Sequence, residues 1–301
     1  MKNTKIEGVL TAIVTPFKEN LEIDWQGYER IIHAQVDAGV SGVVAFGTTG
    51  ESPTLESEEK IALIEKAIEA SGGKLQIMAG TGSNNTKDSI ALSLKAKQAG
   101  ATSLLIVTPP YNKPSVAGLI QHYKAIGDAV DLPICLYHVP ARTGQLLNAD
   151  QICQIVEAVP QITAIKEASG DLALFARLTQ RLTSTHVLSG DDPTYLASLS
   201  VGGKGLISVS TNIFARAYVE LTSAFQSADN RRAMQISMAL VDFVDTMFVE
   251  TNPCPVKYCA KLAFETGDFV RAPLAVVTEG SKKAIEHSYH ITRKNLESII
   301  V

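Results

Sequence analysis

Short apolar runs rich in β-branched residues recur along this chain. Each is followed by a segment whose apolar residues return every three or four positions. The first run is Val9–Thr15, followed by a helical pattern over 24–38. Gly42–Phe46 comes next, ahead of a helical stretch over 55–71. In that stretch Ile61, Ile64, Ala67 and Ile68 form one stripe, and Glu56, Glu58 and Glu59 crowd the first turn, where a helix dipole favours them. Leu75–Ala79 precedes a helix over 86–98, and Ser103–Val107 precedes one over 115–129. Leu132–Tyr137 precedes another, for which Asn148 is a good N-cap with Gln151 three residues on. The remaining runs are Ile162–Glu167, His186–Ser189 and Gly205–Val209, with helical segments over 171–182, 193–200 and 215–227.

Eight strand-then-helix units predict parallel strands that close into a (β/α)8 TIM barrel. A doubly wound open sheet is the alternative, but it would carry a glycine-rich turn after its first strand. Here that turn reads Pro16-Phe17-Lys18, which favours the barrel. From Asp229 no strand run follows, and the pattern is helical over 234–248, 256–264 and 273–290. The expected organisation is a barrel over 1–228 that carries the active site and a C-terminal helical domain over 229–301.

Composition narrows the function classes. Hydrophobic residues are 46% of the 301 and charged residues 19%, enough for a large core with no sign of disorder. The net charge of -4 and the lack of a basic run exclude a general nucleic-acid binder. An anionic ligand must then be caught by local groups. Cys135, Cys153, Cys254 and Cys259 are too few and too irregular for a disulfide framework or a zinc site, and read as buried thiols. The opening residues are a poor signal peptide, and no stretch reaches the ~18 apolar residues a membrane span needs. A soluble, cytoplasmic protein with no membrane partner is expected.

Candidate chemistry gathers at the C-terminal ends of the expected strands, where such barrels place their active sites. In Ile162–Gly170, strand alternation puts Lys166 on one face with Ile162 and Ala164. A lysine there either snorkels to water or sits buried. Burial favours its neutral amine, a nucleophile toward carbonyl carbon. After the second strand, Gly47-Thr48-Thr49-Gly50-Glu51 makes a tight turn that is either a carboxylate cradle or a purely structural connection. Tyr111 stands in the proline-stiffened loop Thr108–Pro114. Tyr137 ends the fifth strand beside the lysine strand and points inward, His138 faces the helices, and Arg142 follows in the loop. Gly190 follows the seventh strand. One lysine, hydroxyls, phenols, an arginine and no metal-ligand cluster point to Schiff-base chemistry on a keto acid.

At these residues the sequence resembles the pyruvate-dependent class I aldolase family, which contains the dihydrodipicolinate synthases and the N-acetylneuraminate lyases. The motifs that carry the resemblance are Gly47–Glu51, Thr108–Asn112, Tyr137–Thr143, Lys166–Gly170 and Asn252–Pro255. Thr48 and Arg142 side with the synthase branch, while His138 and Cys254 depart from its usual asparagine and isoleucine. The resemblance implies an imine between Lys166 and pyruvate, with no other cofactor and no metal. Tyr137 would shuttle protons, and Thr49 would link it to Tyr111. Thr48, Thr49, Gly190 and the backbone near Ile207 would hold pyruvate, and Arg142 would hold the carboxylate of L-aspartate 4-semialdehyde. It also implies a homotetramer built as a dimer of dimers, since a neighbouring subunit supplies Tyr111 in family members. A pyruvate lyase acting on a sugar acid is the alternative.

Overall fold

The computed structural model describes residues 5–300. Its strands are β1 Gly8–Ala12, β2 Gly42–Ala45, β3 Gln76–Ala79, β4 Ser103–Val107, β5 Ile134–His138, β6 Ile162–Glu167, β7 His186–Ser189 and β8 Gly205–Ser208. The helices between them are α1 Trp25–Ala38, α2 Ser57–Ser71, α3 Thr86–Gln98, α4 Val116–Val130, α5 Pro140–Thr143, α6 Ala149–Ala158, α7 Leu172–Arg181, α8 Tyr195–Ser200 and α9 Thr211–Gln226. Three more follow: α10 Asn230–Thr246, α11 Cys254–Phe264 and α12 Glu279–Glu297. The strands are neighbours in chain order, and the order closes into a barrel, as the alternation predicts.

Residue contacts divide the chain into two compact units. One is Gln76–Ile207 together with the start of the chain up to Gly8. Its parallel ladder runs in register from Val107 opposite Tyr137 to Tyr137 opposite Lys166 and Lys166 opposite Leu188. Leu104, Ile106, Ile134, Leu136, Ile165 and Leu188 are fully buried, which suits parallel strands covered on both faces.

The other unit is Val9–Leu75 and Ser208 to the chain end, so the last four helices belong with the first two strands. Within it the Asn212 side chain donates to the Ala12 carbonyl (2.8 Å) and accepts from the Val14 N–H (3.0 Å), fixing the start of α9 to the end of β1. Helix α9 begins at Thr211, earlier than the pattern over 215–227 suggests, because the Ser208 hydroxyl accepts the Thr211 N–H. Helix α12 differs more from expectation. It begins where the Thr278 hydroxyl caps the Ser281 N–H, and the apolar residues from Pro273 to Val277 lie before it. Among the described residues no helix is long and apolar enough to cross a membrane.

Candidate active site

Lys166 and Tyr137 lie side by side because β5 and β6 pair with those two residues in register. Both are buried, and the Lys166 ammonium nitrogen stands 4.5 Å from the centre of the Tyr137 ring. Among the described residues no carboxylate lies within ion-pairing distance of Lys166. Its strand neighbour Glu167 points the other way and bonds His138 (3.0 Å). Gly190 completes this group. A Cβ there would stand 2.7 Å from Lys166 Cε and 2.7 Å from Ala168 Cβ, so only glycine leaves the lysine its channel. Cys135 shares the inward face of β5. Burial pushes its thiol up to about 12 against the pull of Lys166, so it stays protonated.

The turn after β2 forms a second group. Gly50 N–H bonds the Gly47 carbonyl (3.1 Å) and Glu51 N–H bonds the Thr48 carbonyl (3.1 Å), winding the chain tightly. Gly50 is needed there, since a Cβ would meet Phe46 Cα at 2.8 Å. Thr48 is half-buried and Thr49 buried. The Asn252 amide donates to the Thr49 hydroxyl oxygen (3.2 Å), which leaves the threonine O–H turned to donate elsewhere.

The remaining predicted residues are dispersed over a loop, a helical turn and a strand. Tyr111 is 90% exposed and held at φ +70°, a backbone conformation that costs a tyrosine energy and persists only where its surroundings impose it. Arg142 is exposed on α5, a single turn that the hydrophobic pattern did not disclose. Ile207 is buried in β8.

A family model described as the dihydrodipicolinate synthetase family matches residues 5–291. The chain belongs to this family. It is 41% identical over 281 residues to a 4-hydroxy-tetrahydrodipicolinate synthase of Methanocaldococcus jannaschii, covering 93% of this chain and 96% of the relative. The enzyme of the same name from Leptospira biflexa is also 41% identical, over 91% of this chain and 93% of its own. The solved 4-hydroxy-tetrahydrodipicolinate synthase of Methylacidiphilum fumariolicum is 36% identical, covers 98% of each chain and superposes with a TM-score of 0.94.

Sequence reasoning missed the supports that this dihydrodipicolinate synthetase family member places behind its candidate residues. Glu51, at the end of the threonine turn, is bonded by the Lys257 ammonium at 2.5 Å and by the Arg271 backbone N–H at 3.0 Å. Lys257 also lies 4.0 Å from the centre of the Phe17 ring. Burial draws Lys257 down to about 8 although Glu51 pulls it upward. Arg271 in turn forks onto both oxygens of Glu59 (2.7 and 2.6 Å). Asn252 was visible only as part of a motif, and nothing in the sequence joined it to Thr49, 203 residues away.

Proposed function

We propose that Lys166 is the nucleophile of this enzyme and Tyr137 its proton carrier. The chain is a lyase of the class I aldolase type. It condenses pyruvate with L-aspartate 4-semialdehyde to give 4-hydroxy-tetrahydrodipicolinate. The observation that carries the residue assignment is a buried lysine at the end of a barrel strand, with an aromatic ring against it and, among the described residues, no carboxylate within ion-pairing distance.

The Lys166 amine adds to the ketone carbon of pyruvate, and loss of water gives the imine. A methyl proton then leaves, giving an enamine. The enamine carbon attacks the aldehyde of the second substrate, whose oxygen takes a proton. The amino group of that adduct adds to the imine carbon, closes the six-membered ring and expels the Lys166 amine. Tyr137, with its ring against the lysine, is the phenol assigned to carry those protons. In this reading Thr48, Thr49, Gly190 and the backbone near Ile207 hold pyruvate, Thr49 passes protons between Tyr137 and Tyr111, and Arg142 meets the semialdehyde carboxylate. The same reading gives the barrel over 1–228 the active site and 229–301 a supporting role.

The test is borohydride reduction in the presence of pyruvate, followed by mass spectrometry of the peptides. A three-carbon adduct is expected on Lys166, and Lys166→Ala should abolish it. An adduct that survives in that variant overturns the assignment.

The proposed active form is a cytoplasmic homotetramer. Its support is Tyr111, a large aromatic left 90% exposed on a stiff loop, which a second copy would cover. Sedimentation at assay concentration should find an oligomer, and a fully active monomer would refute this.

A further inference from the structure

Behind the Tyr137–Lys166 pair, on the opposite face of the same two strands, lies a second pair that the proposed mechanism does not use. His138 and Glu167 are the last residues of β5 and β6, stand opposite each other in the ladder, and are both buried. The bonds around them fix where the proton sits. The backbone N–H of Leu147 donates to His138 Nε2 (3.1 Å), so Nε2 has no hydrogen. The ring proton is therefore on Nδ1, and it donates to Glu167 Oε1 (3.0 Å). The same carboxylate oxygen accepts the Ser169 N–H (2.9 Å). The imidazole is thus a rigid bridge with one end on each of two segments. Nδ1 holds the strand that carries Lys166. Nε2 holds Leu147, at the far end of the loop that begins with α5 and carries Arg142.

We propose that His138 is a positioning residue that fastens the Arg142 loop to the Lys166 strand, with each ring nitrogen serving a different substrate. The Nδ1–Glu167 bond sets the lysine for pyruvate, and the Nε2–Leu147 bond sets the arginine loop for the semialdehyde. This rests on the reading of Lys166 and Arg142 given above.

The two ends can be tested apart, because asparagine places an amide nitrogen near Nδ1 and glutamine places an amide oxygen near Nε2. His138→Asn keeps a donor for Glu167 and loses the acceptor for Leu147. It should raise the KM for aspartate semialdehyde roughly tenfold, about what one buried hydrogen bond contributes, and leave borohydride trapping of pyruvate within about twofold of the parent. His138→Gln keeps the acceptor and loses the donor, so it should slow trapping roughly tenfold and leave that KM nearly unchanged. Rates are taken per mole of cooperatively melting protein, so loss of folding does not enter. Both variants losing the same parameter equally, or neither losing any, overturns the proposal. Absence of an adduct on Lys166 in the parent enzyme would instead overturn the underlying reading.

Discussion

Among the described residues two lysines are buried, and they are held in opposite ways. Lys257 on α11 is 1% exposed, with the Glu51 carboxylate at 2.5 Å and the Phe17 ring beneath it. Lys166 on β6 is 5% exposed and has a ring at similar range but, among the described residues, no carboxylate within ion-pairing distance. Desolvation costs an ammonium several kcal/mol, and a close carboxylate offsets it in place. Lys257 is therefore locked as half of an ion pair, with nothing to gain by reacting. Lys166 has no such partner among the described residues, which under the proposed mechanism leaves its amine able to add to a keto acid. Burial alone does not make a lysine a nucleophile. In the proposed mechanism the difference between the two lies in the missing carboxylate.

The comparison breaks most visibly if the two lysines are removed in turn. Lys166→Ala should fold normally and lose about a thousandfold or more in turnover, because no other amine can carry the intermediate. Lys257→Met should do the reverse. It leaves Glu51 as an uncompensated buried charge, and urea unfolding should report a loss of about 3–5 kcal/mol. Pyruvate trapping at Lys166 should persist in whatever fraction stays folded. Adding Glu51→Gln should restore most of the stability, since the charge that lost its partner is then gone. A single Lys257→Met change costing less than about 1 kcal/mol would mean that the pair is not a support at all.

How much of this could be read from the sequence follows from the range of each interaction. Period-two alternation is local, so it placed Tyr137 and Lys166 on inward faces. The three-to-four spacing placed α3 over 86–98 as observed. Asn148 and Gln151 do cap α6 reciprocally, again because the signal spans only three residues. The last helix starts later than expected because Pro273–Val277 is a continuous apolar run that merges with the helical pattern after it, and only the Thr278 cap decides the start. Helix α5 is a single turn, too short to have a period. The supports were out of reach for a different reason. Glu51 meets Lys257 across 206 residues and His138 meets Glu167 across 29, and no pattern in a single sequence pairs residues at such distances.

Another buried base sharpens the contrast. His122 on α4 has neither a carboxylate nor a proposed reaction. Thr86 Oγ1 stands 2.9 Å from its Nδ1, and its Nε2 is buried without a partner. Burial alone lowers it from 6.5 to about 4. The unfolded chain therefore binds a proton between those values that the folded chain refuses. Stability should be fully present above about pH 6.5 and fall as the pH drops toward 4, by up to ~3 kcal/mol. Thermal melts of His122→Gln should show a flatter acid limb than the parent, after allowance for the carboxylates common to both. An unchanged limb would show that the histidine is not held neutral.

The smallest change concerns how closely Lys166 is guided once it is free of a counter-ion. Gly190 presses its bare Cα against the lysine stem, with the place of a Cβ only 2.7 Å from Cε and 2.8 Å from Cγ. Gly190→Ala forces something to move. The far end of a lysine yields more easily than the backbone of β6, so the expected displacement is of the amine and not of the strand. Misplacing a reacting atom by about an ångström can cost up to a hundredfold. We expect kcat to fall roughly ten- to a hundredfold, with the melting temperature little changed and the same slowing in borohydride trapping. A variant with normal trapping and a depressed melting temperature would mean that Ala168, whose Cβ lies 2.7 Å from the place of the new methyl group, absorbs it. Gly190 would then be a packing residue, and the freedom of Lys166 would come from the missing carboxylate alone.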